Sequence, residues 1–416
     1  MLLKTILNRV QKQRGFVYGQ VRLRNRRRLE IEIEVRPRAG SRARCSECGR
    51  KRPGYDTLAA RRFEFVPLWG IAVFFVYAMR RVQCAQCGIR VEAVPWGSGK
   101  RQLTDTYSWF LARWAKRLSW TEVAEAFHTS WEKVYRAVEH AVAWGRSHQV
   151  LDRIEAIGID EIQWQRGHRY LTLVYQIDEG CRRLLWVGQD RRVKTLLRFF
   201  RWFGKERSAA LRFICSDMWR PYLRVIRRKA AQAAHVLDRF HIMSTMSKAI
   251  DEVRADEVKA LKADGYEPLL KHARWLLLKR PENLTAKQEP RLAELLRYNL
   301  RSVRAYLLKE YFQSFWDYRS PYWAGVFLDR WCTRTLRSRL EPMKKVARTL
   351  RNHRTLILNW FRARGAISAA AVEGFNNKAK LTMRKAYGFR TDRAMEVALY
   401  HSLGALPEPV TTHKFC

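Results

Sequence analysis

The chain has 416 residues, which allows two to four domains at roughly 150 residues per domain. It carries 81 Lys and Arg against 39 Asp and Glu, and the resulting formal net charge of +42 makes a polyanion the expected partner. Phosphate backbone is the first candidate, because neutralised phosphates release condensed counterions. The alternative is a basic surface that serves solubility alone, but the excess of positive charge runs through every segment.

The sequence contains no segment suited to a membrane. The longest apolar run, Ile71–Met79, is far shorter than the roughly 20 residues that a spanning helix needs. No secretory signal is recognisable, so we expect a cytoplasmic protein. The eight cysteines should then be reduced, and clustered cysteines are better interpreted as metal ligands than as disulfides.

Residues 1–100 are predicted to form a β-rich module. Residues 29–35 alternate strictly between apolar and acidic side chains, which indicates a strand with one buried face. Residues 21–24 are the expected hairpin partner of that strand. A further strand-like run occupies residues 71–79.

Two matching Cys-x-x-Cys-Gly units flank that last run. The first contains Cys45 and Cys48, and the second contains Cys84 and Cys87. Two such turns supply four thiolates, which is the ligand set of a tetrahedral structural zinc site, here in a zinc ribbon. Four unrelated surface thiols are the alternative, and the repeated spacing argues against them.

Residues 101–150 are predicted to form a helix-turn-helix. Ser119–Glu122 and Thr129–Glu132 both match the capping-box pattern that opens a helix. The second helix would offer Lys133 and Arg136 to a major groove. A plain helical hairpin that acts as a spacer would show the same pattern, and the zinc module and the charge favour DNA binding.

Residues 151–248 change to an α/β pattern. Three successive strand runs with short connections predict an antiparallel meander, and helix, strand, helix and strand follow. That order is typical of a ribonuclease-H-like α/β fold. Residues 249–355 are helical by periodicity and rich in aromatic residues, which indicates a helical insertion. Its aromatics would form a helical core or contact distorted DNA. Residues 356–416 then return to the catalytic domain.

Three acids lie where a metal site would need them. Asp160 is in the middle of the first strand, where a carboxylate is costly unless something pairs with it. Asp217 follows the fourth strand, which lies beside the first in this fold. Glu373 lies on a two-faced helix that also carries Asn376, Asn377, Lys380 and Arg384 on its polar side. Glu161 competes with Asp160, because adjacent strand residues point to opposite faces and the pattern does not choose between them.

Several motifs resemble the DDE transposases of bacterial insertion sequences, most closely the ISL-three family. These motifs are Ile-Asp-Glu at 159–161 with Gly-His-Arg-Tyr at 167–170, Ser-Asp-Met-Trp-Arg-Pro-Tyr at 216–222, Asp-Arg-Phe-His at 238–241, Val-Glu-Gly-Phe-Asn-Asn-Lys-Ala-Lys-Leu at 372–381 and Ala-Tyr-Gly-Phe-Arg at 386–390. The resemblance covers nearly the whole chain and implies that the catalytic acids are Asp160, Asp217 and Glu373. Asp238 and His241 match an Asp-x-x-His motif that supports the metal ligands in related transposases.

The resemblance also implies a mechanism and partners. Two Mg²⁺ or Mn²⁺ ions held by the three acids would catalyse phosphoryl transfer. Water would cleave the element end, and the freed 3′-hydroxyl would attack target DNA. The expected partners are double-stranded element ends and target DNA, bound by a homodimer or larger synaptic complex in a cytoplasmic, nucleoid-associated setting. Asn377, Lys380 and Arg384 would hold phosphates beside the acids.

Two other functions remain open at this point. One is a zinc-dependent DNA-binding regulator with an inactive catalytic domain, which needs only the first 150 residues. The other is a ribonuclease-H-type nuclease that cleaves without joining.

Overall fold

A computed structural model describes residues 3–25, 28–165, 167, 169–265, 270–363, 369–386 and 388–410. The chain divides into two units, and each is described by itself. The first unit is Met1–Val150 with Leu381–Cys416, and the second is Leu151–Lys380. None of the helices in the described ranges is both long and apolar enough to cross a lipid bilayer.

The first unit begins with a short helix and a five-stranded sheet. The sheet order is β1-β2-β4-β3, and β5 pairs with β4. The predicted alternation is confirmed, because Ile31, Ile33 and Val35 are buried while the glutamates between them are not. The predicted hairpin is confirmed by the antiparallel pairing of β1 with β2. The elements are α1 (Leu3–Val10), β1 (Phe16–Asn25), β2 (Leu29–Pro37), β3 (Gly54–Leu68), β4 (Ile71–Cys84) and β5 (Gly88–Val91).

Three helices follow in the first unit: α2 (Asp105–Trp114), α3 (Trp120–Ala126) and α4 (Trp131–Ser147). The capping box of Ser119 and Glu122 is confirmed, with both reciprocal hydrogen bonds present. The second predicted capping box is wrong, because Ser130 rather than Thr129 caps α4. The backbone N–H of Thr129 is instead bonded to the carbonyl of Ala124, which ties this residue to the end of α3. Glu132 is therefore the second residue of α4, not the third.

The second unit is built on another five-stranded sheet. Its order is β10-β9-β6-β7-β8. The predicted meander is confirmed by the antiparallel pairing of β6 with β7 and of β7 with β8. Strand β9 runs parallel to both β6 and β10, so the strand before Asp217 lies beside the strand that carries Asp160, as expected. The strands are β6 (Ala156–Gln165), β7 (Arg169–Asp178), β8 (Cys181–Gln189), β9 (Phe213–Ser216) and β10 (Ala234–Leu237).

One face of this sheet is covered by helices that precede and follow β9. They are α5 (Val193–Phe203), α6 (Lys205–Ala210) and α7 (Arg220–Lys229). Phe199 and Tyr222 from these helices pack into one core with Ile157 and Ile159 of β6. Odd-numbered residues in the first half of β6 therefore face α5 and α7, which leaves the even-numbered ones for the opposite face.

The remaining helices of the second unit enclose a separate aromatic core. Phe312, Phe315, Trp316 and Trp331 are each at most 2 % exposed, so the prediction of a helical core is confirmed for them. Trp323 is 58 % exposed and lies outside this core. The helices are α8 (Arg239–Ala263), α9 (Arg274–Leu278), α10 (Gln288–Leu295), α11 (Arg301–Gln313), α12 (Pro321–Leu336), α13 (Glu341–Asn352) and α14 (Arg354–Arg362).

Two helices complete the chain. Helix α15 (Ala369–Lys385) contains the Glu373 motif, and α16 (Asp392–Leu403) packs against α4 in the first unit. In the second unit, α15 approaches β6 at a residue without a side chain. A Cβ atom on Gly158 would lie 2.4 Å from Cγ2 of Val372, so the helix can occupy this position only because Gly158 is glycine.

Candidate active site and metal centre

Asp160 lies in the middle of β6 and is only 8 % exposed. Its Oδ1 accepts a hydrogen bond of 2.7 Å from the backbone N–H of Glu161. Its Oδ2 accepts one from the side-chain amide of Asn376 on α15. Burial raises the pKa of Asp160, and the opposing effect of His241 is smaller. The positive charge near Asp160 therefore does not offset the cost of burying its ionised carboxylate. A bound cation would offset that cost.

Asp238 and His241 flank Asp160 at the start of α8. Asp238 caps this helix by accepting a 2.9 Å hydrogen bond from the backbone N–H of Phe240. Nε2 of His241 lies 3.8 Å from Oδ1 of Asp160. Burial raises the pKa of Asp238 to about 6, with further contributions from the charges of Asp160 and Glu373. Four of the predicted site residues therefore share one electrostatic environment.

Asp217 is held by an arginine that the sequence did not single out. Nη2 of Arg191 lies 2.7 Å from Oδ2 of Asp217, and its Nε lies 3.3 Å from Oε1 of Glu161. The guanidinium also stacks over the ring of Trp219 at 4.6 Å. Burial and the charge of Asp217 raise the pKa of Glu161 to about 8, although Arg191 opposes this shift. Arg191 thus supplies the positive charge on this side of the site.

The two neighbouring acids of β6 have different partners. Asp160 contacts Asn376 on α15, whereas Glu161 contacts Arg191 in the loop after β8. Their side chains thus diverge, as the strand alternation predicts. Asp217 is electrostatically coupled to both acids, since its charge raises the pKa of each of them.

The carboxylates of Asp160, Asp217 and Glu373 are chemically suited to a divalent cation, but they are too far apart to coordinate one ion together. Oxygen donors are the ligands that Mg²⁺ prefers. Within the described residues, however, the four cysteines are the only set of three or more His, Cys, Asp or Glu side chains with ligand atoms all within 4.8 Å of one another. Like charges repel in the absence of a cation, and Arg191 holds Asp217. The predicted triad is brought into one region without closing into a ligand shell.

Asn376 is a site residue whose position the sequence did not reveal. The helical pattern assigns it to the polar face with Glu373, but it is 7 % exposed. It donates to Asp160 and accepts a 3.0 Å hydrogen bond from the hydroxyl of Tyr175. Asn376 lies four residues after Val372 and three before Ala379, both buried, so this spacing could have revealed its position. Arg191 had no comparable signal.

Replacing Gly158 should disturb this arrangement from the strand side. We expect Gly158→Ala to lower the free energy of unfolding by about 1–3 kcal/mol, since the added methyl group must displace Val372 and with it α15. Urea unfolding monitored by circular dichroism measures the change. Gly180→Ala is the matched control, because nothing lies within 4 Å of its Cβ position. Equal stabilities of the two variants would contradict the close contact.

The four cysteines of the predicted zinc site come together in the first unit. All four Sγ atoms lie within 4.8 Å of one another, and those of Cys48 and Cys84 are 3.7 Å apart. A tetrahedron with bonds of about 2.3 Å has edges of about 3.8 Å, so the spacing suits zinc. Each pair sits on a turn that ends in a glycine of positive φ, at Gly49 and Gly88. This cluster could hold one tetrahedral metal ion.

The residues predicted to contact DNA differ in their surroundings: two residues of α4 form ion pairs, and three residues of α15 are exposed. Lys133 forms an ion pair of 2.5 Å with Glu64, and Arg136 forms an exposed one of 2.6 Å with Glu132. Asn377, Lys380 and Arg384 are all exposed on α15. His168 and Tyr387, which belong to the quoted motifs, lie outside the described residues.

Comparison with known proteins identifies the class. A family model described as a transposase, of the DDE type and the ISL-three group, matches residues 157–399. The transposase for insertion sequence element IS1001 of Bordetella parapertussis is 29 % identical, over 83 % of this chain and 85 % of the relative. The transposase for insertion sequence element IS1557 of Mycobacterium tuberculosis is 31 % identical, over 86 % of this chain and 85 % of the relative. The chain therefore belongs to the ISL-three family of DDE transposases from bacterial insertion sequences.

Proposed function

We propose that this transposase binds the ends of an insertion sequence, cleaves the DNA and joins the 3′ ends to target DNA. The observation that carries the proposal is the buried carboxylate of Asp160 and its electrostatic coupling to Asp217 and Asp238. A buried acid whose pKa is raised by burial and by a neighbouring acid is a marker of a functional site. Membership of a transposase family supports DNA as the substrate of that site.

The catalytic domain would have a ribonuclease-H-like fold with residues 249–355 as its insertion. The sheet order β10-β9-β6-β7-β8 supports this, with an antiparallel meander at one side and two parallel strands at the other. Asp160 then lies on β6 and Asp217 directly follows the neighbouring strand β9. Helix α15, which carries Glu373, contacts Asp160 through Asn376. Residues 356–416 would complete the domain.

Asp160, Asp217 and Glu373 would hold two Mg²⁺ or Mn²⁺ ions. When bound, the ions supply an activated water or 3′-hydroxyl and stabilise the leaving oxygen. The amide of Asn376 and the N–H of Glu161 orient the Asp160 carboxylate, since each donates to one of its oxygens. Nε2 of His241 lies 3.8 Å from Oδ1 of the same carboxylate, on the side toward α8. The ion pair between Arg191 and Asp217 must break before Asp217 can act as a metal ligand.

Residues 1–150 would find the DNA ends. One structural zinc ion on Cys45, Cys48, Cys84 and Cys87 would stabilise the zinc ribbon. The helix-turn-helix of α3 and α4 would enter the major groove and use Arg136. Lys133 would first have to leave Glu64. Asn377, Lys380 and Arg384 would contact phosphates, and two or more copies would hold both ends in a synaptic complex.

One assay separates this function from its alternatives. The full chain is incubated with labelled element ends, target plasmid and Mg²⁺, and products are resolved on a sequencing gel. A transposase yields cleaved ends and joined product, whereas a nuclease yields cleavage alone and a regulator yields neither. Cleavage under working conditions with no joined product would refute the proposal.

A further inference from the structure

A cleft of about 460 Å³ opens in the second unit, and none of the acids of the candidate active site lines it. It is lined by α7, by β10 and by α14. Its volume falls within the roughly 300–1,000 Å³ of small-molecule sites in proteins. None of the contacts described for the three acids uses its lining residues, so the cleft needs an explanation of its own.

The mouth of the cleft is strongly basic. Arg220, Arg224 and Arg227 line it, at a spacing of four and three residues that places them on one side of α7. All three side chains are exposed, and no acidic residue is among the described residues that line the cleft. Like charges at this spacing repel one another and destabilise the helix. An anion bound between the guanidinium groups would remove that repulsion.

Part of the cleft lining is apolar. Leu223, Ile226 and Leu356 supply aliphatic surface. Two buried polar side chains stand at its edge: His235 is 7 % exposed and Asn359 is 8 % exposed. The amide of Asn359 donates to the carbonyl of His235 at 2.9 Å, and Nε2 of His235 lies 2.8 Å from Oγ of Ser216. These contacts fix both side chains in place.

We propose that this cleft binds a single unpaired nucleotide, with the phosphate on the arginines and the base on the apolar part of the lining. A phosphate demands bidentate cationic donors, and a base demands an apolar surface with a few fixed polar groups. The cleft presents both, side by side. A paired base cannot enter such a pocket, so the nucleotide must leave the stack or come from a strand end.

The inference rests on the proposed function in one respect: it takes the nucleotide from the DNA substrate. The same chemistry is carried by a free nucleoside monophosphate. Ser216 contacts the cleft through His235 and directly precedes Asp217, and α7 begins three residues after that acid. A nucleotide held here would anchor the strand in the unit that carries the catalytic acids.

The test compares two double variants of α7. Arg224→Gln with Arg227→Gln removes two cleft arginines. Arg228→Gln with Lys229→Gln is the matched control, since it removes the same charge from exposed neighbours that do not line the cleft. Each full chain, loaded with zinc and without added Mg²⁺, is titrated with a duplex that contains one unpaired 2-aminopurine nucleotide, with the fully paired duplex, and with deoxyadenosine monophosphate. Thermal unfolding confirms that both variants fold.

The wild-type chain and the control should bind the duplex with the unpaired nucleotide about tenfold more tightly than the paired duplex, which is the worth of one hydrogen bond to a charged group. The cleft variant should lose this preference. A different outcome is that the monophosphate binds the wild type and the control but not the cleft variant, while each chain binds the two duplexes equally well. The cleft would then be a site for free nucleotides. Equal losses in both variants, or none in either, would overturn the inference. Because no cleavage is required, a missing joined product would count against the proposed function alone.

Discussion

Asp160→Asn is expected to abolish strand cleavage and strand joining while binding to element ends is kept. The substitution removes the charge that a metal ligand must carry, and metal ions supply several kcal/mol of transition-state stabilisation. At 1.36 kcal/mol per factor of ten, the rate should fall roughly a thousandfold or more. The free energy of unfolding should fall by about 1–3 kcal/mol, because the amide offers one acceptor oxygen where the carboxylate offers two, so either Asn376 or the N–H of Glu161 loses its acceptor.

The measurement combines the gel assay with DNA binding and urea unfolding. Glu179→Gln is the control, since this acid is exposed in the turn after β7. Glu161→Gln tests the choice between the two acids of β6 and should retain more activity than Asp160→Asn. A larger loss in Glu161→Gln would contradict the assignment of Asp160. Full joining activity in Asp160→Asn would refute the catalytic role of Asp160.

Cys45→Ser combined with Cys84→Ser should remove one zinc ion per chain and weaken end binding. These two cysteines are the buried members of the cluster, at 0 % and 2 % exposure, and their local core holds only two other buried side chains. Such a small core depends on its metal, because structural zinc contributes about 10–16 kcal/mol in small zinc modules. The hairpin of β4 and β5 should therefore lose its order, and we expect the affinity of the chain for element ends to fall with it.

Metal analysis of the purified chain gives the zinc content, and an electrophoretic shift with element ends gives the affinity. Cys181→Ser is the matched control, as this thiol lies outside the cluster in the second unit. Hydrogen exchange should show unchanged protection in residues 151–380. Stoichiometric zinc in the double variant would refute the metal site.

Local patterns predicted most of the elements that matter. The alternation of residues 29–35, the meander of β6 to β8 and the Cys-x-x-Cys-Gly repeats each depend on neighbouring residues only. Such patterns reflect which face of one element is buried or which turn holds a thiol, so they can be recognised without a partner element. The first capping box is equally local, and its prediction is confirmed.

The sequence by itself determined the transposase family, the cysteine cluster and the strand that carries Asp160. Only the tertiary structure decided that Asn376 binds this carboxylate, that Arg191 holds Asp217 and that Lys133 pairs with Glu64. These contacts join elements that lie 26 to 216 residues apart along the chain. The physical reason is that burial and charge pairing depend on which elements pack together, and periodicity within one helix or strand carries no information about its neighbour.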